Sequence, residues 1–359
     1  MKILHVVTDF PYRNNGNILN YGGLGICVLQ LIEGLKEKGF DIDVLTRSEP
    51  NIERELVDGV TRTSYICPTS SRNWKLTHSF TMIPKFLKLL RSNNYGIVHV
   101  HNPPAGLFSL PLAKIHGSMT VMTMHGPWSK VREKMQWLAS SIEDTALEQA
   151  DAVTFDSNSL HNMYGDKAKY HSILNAVDTN VFRHTMTNRA RDKFSLDQDK
   201  RVFLYSGRNV FGKNIDVVRT VASKFPDDIF IVTGWKGDAI DEEFGNLIYM
   251  KSIPNTDMPL LYSACDGLIL ASSAEGMSRA VLEAMSCACA PILSDIPSNM
   301  EVAGNYGRYF KDGRVLEGIL SDLSRVEMAR TGMKCRERVL ENFSVSKRIE
   351  SFIKLYEGL

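Results

Sequence analysis

The feature that most constrains this chain is its repeated alternation of short apolar runs with amphipathic helical segments. Residues 3–7 form an apolar run that ends in a Gly- and Asn-rich loop. Leu24, Val28, Leu31, Ile32 and Leu35 then recur at helical spacing, Gly39 closes that helix, and 40–46 reads as the next strand. A strand–helix–strand unit of this kind requires a right-handed crossover and a parallel sheet. The strand signal returns at 97–101, 120–123, 152–155 and 172–174. A second series runs through 202–206, 229–233, 247–250, 267–271 and 291–294, with helices expected near 214–224, 257–265 and 279–288. Between the two series, 179–200 is polar, lacks an apolar period and reads as a linker.

Length agrees with two domains, because 359 residues exceed the roughly 250–300 at which a single core stops growing. Two α/β domains facing each other are expected to take ligands outside the carboxyl ends of their strands. A net charge of +1 with 23% charged residues excludes an acidic disordered chain and gives no support for a nucleic-acid partner. The six cysteines include no C-x-x-C pair and no zinc-finger spacing, so reduced, buried thiols in a cytoplasmic protein are expected. No apolar stretch reaches the roughly 18 residues that span a bilayer, and the first strand is too short to be a signal peptide.

Two segments of the second series carry chemistry. Gly207-Arg208 through Lys213 follows a strand and opens a helix, which places two cations beside free helix N–H groups in an arrangement suited to a phosphate or diphosphate. Glu275 also lies between a strand and a helix, and Glu283 stands eight residues later, about 12 Å along the axis if all the intervening residues are helical. Carboxylates accept paired hydrogen bonds from vicinal hydroxyls, so two of them can grip the two sugars of a sugar nucleotide. Read singly, each of these residues is also explained as an ordinary solvated charge.

Other motifs read as structural. Asp41-Ile42-Asp43 and Asp197-Gln198-Asp199 are D-x-D pairs, but neither ends a strand, so no metal is expected there. His99 and His101 are read as facing opposite sides of their strand, His99 packed and His101 lining the cleft at the strand end. A zinc site built on His101 and His125 lacks a third ligand. Residues 83–91 form a short basic amphipathic helix, read as packing Phe86, Leu87 and Leu90 inward, with peripheral membrane contact as the other reading. Trp128 is either a core residue or a platform for an acceptor sugar.

Taken together, the motifs resemble the retaining glycosyltransferases of the GT-B fold in glycosyltransferase family 4. The E-x7-E element at Glu275 and Glu283, with Gly276 and Leu282-Glu283-Ala284-Met285, carries the resemblance, and Gly207-Arg208…Lys213 lies at the matching distance upstream. Tyr21-Gly22-Gly23-Leu24, Val98-His99-Val100-His101, Thr123-Met124-His125-Gly126 and Leu174-Asn175-Ala176-Val177-Asp178 follow the family in order. This chain departs from it at Met277-Ser278, where Phe-Gly is common, and at Ala288, where Gly is common.

The resemblance implies an α/β GT-B fold of two Rossmann-like domains. Residues 1–180 would bind the acceptor and 181–345 the donor, with a final helix, 346–359, crossing back to the first domain. It implies that Arg208 and Lys213 neutralise the leaving diphosphate, that Glu275, Gly276, Met277 and Ser278 hold the donor sugar, and that Glu283 holds the ribose. Gly22 and Gly23 would bring backbone N–H groups to the diphosphate, and His125 would sit at the reacting centre. Asp9, His101 and Trp128 are the candidate acceptor contacts. The implied activity is metal-independent, retaining transfer from a nucleotide-diphosphate sugar, UDP-sugar by preference, to a sugar, lipid-linked or small-molecule acceptor, with no further cofactor. An epimerase or hydrolase of nucleotide sugars, or a non-catalytic sugar-nucleotide binder, would use the same residues.

Overall fold

Two parallel sheets organise the chain. The computed structural model describes residues 1–14, 17–19, 22–48, 60–63, 74–129, 136–207, 212–234, 245–250 and 253–359. They divide into two units, Met1–Asn175 with Val345–Leu359, and Ala176–Ser344.

In unit 1 the strands are β1 (Lys2–Val7), a hairpin of β2 (Tyr12–Asn14) and β3 (Asn17–Leu19), β4 (Asp41–Arg47), β5 (Val60–Thr63), β6 (Ile97–His101), β7 (Met119–Met124), β8 (Ala152–Phe155) and β9 (Tyr170–Ser172). Seven of them form one parallel sheet in the order β5-β4-β1-β6-β7-β8-β9. Apolar clusters on both faces of the sheet bury it, as a parallel sheet requires. The helix Gly23–Glu37 covers one face and packs against the C-terminal helix Val345–Glu357. That packing is close: a Cβ on Gly34 would lie 1.8 Å from Ile349 Cδ1. In the helix Ile83–Ser92, Phe86 and Leu90 are buried in the core while Lys85 and Lys88 are exposed. Among the described residues, no helix is long and apolar enough to cross a membrane.

Unit 2 holds β10 (Val202–Ser206), β11 (Ile229–Thr233), β12 (Leu247–Met250), β13 (Gly267–Leu270), β14 (Ala290–Ser294) and β15 (Arg308–Phe310) in one parallel sheet, ordered β12-β11-β10-β13-β14-β15. The segment expected to be a linker is part of this unit. It contains the helix Thr187–Lys193, and its Phe182, Ala190 and Arg191 are buried. Arg191 explains the polar appearance: its guanidinium is fully enclosed, donates to the carbonyls of Asp197, Gln198, Lys200 and Ala264, and pairs with Asp266 at 2.8 Å. A buried charge satisfied this completely is a core residue despite its polarity. The D-x-D pairs also have structural partners: Asp41 and Asp43 face Lys2, and Asp197 accepts from the Asp199 backbone at 2.8 Å.

The expectation for the paired histidines was wrong. Residues two apart on a strand share a face, and the His99 and His101 rings lie 4.1 Å apart between centroids. Register then adds a third ring, because β1 pairs with β6 so that His5 stands opposite His99. All three side chains are fully buried.

Two expectations about stability follow. Burial holds His5 at a pKa of about 3 and His125 at about 4, and His99 and His101 well below the ordinary value. The unfolded chain protonates these rings near pH 6.5 while the folded chain does not, so the stability they support is present above pH 6.5 and is lost as pH falls toward 4. The slope is about 1.4 kcal/mol per pH unit per histidine. Urea unfolding of unit 1 at pH 7 and pH 5 should show this loss, and equal stability at both would contradict it. The second concerns Ala288, just past the helix Arg279–Ser286, which adopts φ +60°, a left-handed conformation that favours glycine. Ala288→Gly should stabilise unit 2 by about 1 kcal/mol in urea unfolding; a destabilised variant would contradict this account of the strain.

Candidate functional site

In unit 2, β10 and β13 are neighbours in the sheet, so the loops that leave their carboxyl ends lie side by side. Short hydrogen bonds join these loops. Ser273 donates from its backbone to Gly212 O at 2.8 Å and Asn214 Nδ2 donates to Ala271 O at 2.9 Å, while within the first loop Tyr205 Oη of β10 donates to Lys213 O at 3.0 Å. Gly212 takes φ +83°, and a Cβ there would sit 3.0 Å from Ser273 Oγ, so both backbone shape and close approach call for glycine. This stitching places Lys213 Nζ in an ion pair with Glu275 Oε1, with the two side chains only 24% and 16% exposed. Arg208 lies outside the described residues.

Glu275 to Ser278 precede the helix Arg279–Ser286, for which Ser278 is the N-cap. The interval from Glu275 to Glu283 is therefore not wholly helical, and a continuous 12 Å helical rise does not apply. Glu283 lies in the middle of that helix. Its Oε1 accepts from Arg279 Nη2 at 2.9 Å and its Oε2 from Tyr262 Oη at 3.2 Å. One donor on each oxygen fixes the carboxylate plane and leaves a lone pair on each oxygen for a pair of adjacent hydroxyls. Gly276 and Met277 are buried between the two glutamates. Arg279 and Tyr262 had no signal in the motif, although Arg279 stands at the i,i+4 spacing that pairs charges on a helix.

In unit 1, Gly22 caps the helix Gly23–Glu37, and both glycines are exposed. Gly22 has φ −106°, and a Cβ there would meet nothing within 4 Å. Neither backbone nor packing requires glycine at this position, and the helix end carries no side-chain cap and no acidic first-turn residue. Asp9 follows β1 and pairs with Arg47 at 2.7 Å. Asn102, just past β6, holds φ +124° and is fixed by a bond to Thr8 Oγ1 at 3.0 Å and one from Ala105 N at 3.2 Å. Trp128 is half-buried against the core cluster around β6 and β7.

His125 follows β7. Its side chain is 14% exposed, and Asp156 Oδ2 lies 3.8 Å from its Nδ1. Desolvation lowers its pKa to about 4 and Arg348 adds to the effect, against the opposing pull of Asp156. It is therefore neutral at pH 7. The acceptor role expected of His101 is corrected here: its ring is fully buried, with Nε2 facing His5 at 2.9 Å and Nδ1 facing His125 at 3.2 Å. It stands behind His125 and cannot reach an acceptor. His5, Asp156 and Arg348 went unnoticed in the sequence, although the strand period brings His99 and His101 together.

Among the described residues one group has convergent metal-ligand atoms, His5, His99 and His101, all within 4.8 Å of one another. Five of their six ring nitrogens already have protein partners, and His5 Nε2 has none among the described residues. His99 contacts Tyr356 Oη and Thr123 Oγ1, each at 2.6 Å, and His101 contacts His5 and His125. A metal there would have to displace these bonds.

Residues 21–181 match the model of Glycosyltransferase Family 4, and residues 186–321 match that of Glycosyl transferases group 1. The chain is 25% identical to an Escherichia coli UDP-Gal:alpha-D-GlcNAc-diphosphoundecaprenol alpha-1,3-galactosyltransferase, covering 91% of this chain and 92% of that one. It is 24% identical to an alpha-maltose-1-phosphate synthase of Mycolicibacterium smegmatis, over 94% and 95% of the two chains. Among solved structures, sucrose-phosphate synthase from Thermosynechococcus elongatus superposes with a TM-score of 0.85 at 20% identity, over 99% and 98% of the two chains. The Anabaena protein HepE, solved with UDP and glucose, gives 0.78 at 16% identity over 100% of both. Two Rossmann-like parallel sheets, the two family matches across most of the chain and these neighbours agree: the chain belongs to the group 1 glycosyltransferases of glycosyltransferase family 4, with the GT-B fold.

Proposed function

We propose that this chain transfers a sugar from a UDP-sugar to an acceptor hydroxyl, with retention of anomeric configuration and without a metal. The observation that carries the reading is the Lys213–Glu275 pair on stitched strand ends, with Glu283 oriented on the helix that follows. An ammonium has three N–H groups, so Lys213 bound to Glu275 retains donors for diphosphate oxygens. Glu275 keeps acceptor capacity for donor-sugar hydroxyls, beside Gly276, Met277 and Ser278. Glu283 presents two lone pairs suited to the ribose 2′- and 3′-hydroxyls. The open N-terminus at Gly22 and Gly23 suits a phosphate, since a helix start offers free N–H groups and positive potential. Arg208 adds a second cation by the family resemblance.

Breaking the sugar–phosphate bond builds negative charge on the leaving phosphate and positive charge on the ring. Fixed cations at the phosphate lower that barrier, which is the task a metal performs in other transferases. In the mechanism we favour, the leaving phosphate takes the acceptor's proton on the same face as the attack, which fits a His125 held neutral and low in basicity. The uracil preference draws on the named donor of the Escherichia coli relative and on the UDP and UDP-glucose of the Anabaena structures. Asp9 and Trp128 remain the acceptor contacts we propose, for a sugar, lipid-linked or small-molecule acceptor in glycan, glycolipid or glycosylated-metabolite synthesis. The site is proposed to act in the cytoplasm, with any membrane contact peripheral.

A screen of UDP-sugars against acceptor pools, read by mass spectrometry, tests the reaction. Glu275→Ala should lower transfer by about a hundredfold or more while the variant stays folded, and near-normal turnover would remove Glu275 from the site. Transfer should continue at an unchanged rate in EDTA. Loss of activity that manganese restores would overturn the metal-free mechanism. Release of free sugar or an epimer without an acceptor would favour the hydrolase or epimerase reading.

A further inference from the structure

His5, His101 and His125 form a continuous chain of rings inside unit 1. His5 Nδ1 lies 2.9 Å from His101 Nε2, and His101 Nδ1 lies 3.2 Å from His125 Nε2. Each contact shares a single proton between two ring nitrogens. Neutral imidazole carries one N–H and one lone pair, so setting the tautomer of one ring sets the others.

Both ends of the chain set it the same way. At the outer end, His125 Nδ1 faces Asp156 Oδ2 at 3.8 Å and Cys27 Sγ at 3.9 Å. A carboxylate only accepts, and the Cys27 thiol already donates to Asn175 Oδ1 at 3.2 Å. Both neighbours therefore favour a proton on Nδ1. At the inner end, His5 Nε2 is buried with no hydrogen-bond partner among the described residues. An orphaned lone pair is tolerated better than an orphaned N–H, so His5 carries its proton on Nδ1 and donates to His101. His101 then donates from Nδ1 to His125. Every ring is an Nδ1–H tautomer, and His125 ends with Nε2 occupied and an N–H at Nδ1.

The C-terminal helix supports this arrangement. Arg348 is buried, donates to Cys27 O at 3.1 Å, and opposes a second proton on His101 and His125. We propose that His5 and His101 are positioning residues that lock His125 as the neutral Nδ1–H tautomer, so that it offers bound substrate a hydrogen-bond donor and not a base. This deepens, and rests on, the reading of His125 as a donor-sugar contact. The tautomer itself is measurable without any substrate.

The test is long-range proton–nitrogen NMR on the full-length chain labelled with 15N-histidine, at pH 7. His5, His101 and His125 should each show a protonated Nδ1 and a bare Nε2, with nitrogen–nitrogen coupling across the two ring contacts. Exposed His116 serves as the reference ring. His101→Leu should release His125 into a mixed or Nε2–H pattern, with His116 unchanged. If that variant does not fold, the wild-type pattern decides alone. A proton on His125 Nε2 in the wild type, or signals averaged between its two ring nitrogens, would overturn the lock. So would visible absorption on adding one equivalent of Co2+ that His101→Leu abolishes, because a metal would then hold these nitrogens. A UDP-sugar should shift the His125 Nδ1–H resonance. No shift would overturn His125 as a donor contact, while the substrate-free pattern would still decide the lock.

Discussion

The ion pair between Lys213 and Glu275 depends on the β10–β13 pairing. Two parallel neighbours end at the same level, so their loops can be joined, and Gly212, Ser273 and Asn214 join them. A cation and a carboxylate that are mostly withdrawn from water attract each other far more than a solvated pair does. Each also restrains the other before any ligand arrives. The same strand end feeds the helix carrying Glu283, so a single sheet pairing orders Lys213, Glu275 and Glu283 at one end of the sheet. Oriented charges of this kind need little reorganisation at the moment of reaction, which is the physical basis for rate enhancement by fixed dipoles and cations.

Unit 1 uses burial where unit 2 uses charge. Register between β1 and β6 brings His5, His99 and His101 together in a dry sheet interior, and desolvation keeps them neutral. The C-terminal helix returns after unit 2 to complete this core, with Tyr356 on His99 and Arg348 on Cys27. Gly34 lets that helix come close enough to reach. The last residues of the chain thus shape the surroundings of His125.

Much of this was legible in the residues. The strands 97–101, 152–155, 202–206, 229–233 and 247–250 fall where the apolar runs place them, because buried parallel strands are nearly continuous in apolar residues. The edge strands Val60–Thr63 and Arg308–Phe310 escaped, being short and polar at the sheet margins. The segment 179–200 misled because Arg191 is charged yet fully enclosed by carbonyls. In the site, Lys213, Glu275 and Glu283 stand out through family motifs, whereas Tyr262 and Asp156 are brought near by folding across distant sequence. The error over His99 and His101 was one of period: a strand alternates between neighbours, so residues two apart face the same way.

The central claim is that Lys213, held by Glu275, binds the diphosphate of a uridine nucleotide. Isothermal titration of UDP into the wild-type chain and into Lys213→Ala, with ADP and GDP as comparisons, tests it most directly. The account predicts that UDP binds the wild type more tightly than ADP or GDP does, and that Lys213→Ala weakens UDP binding by tenfold or more. Unchanged UDP affinity in Lys213→Ala would contradict it.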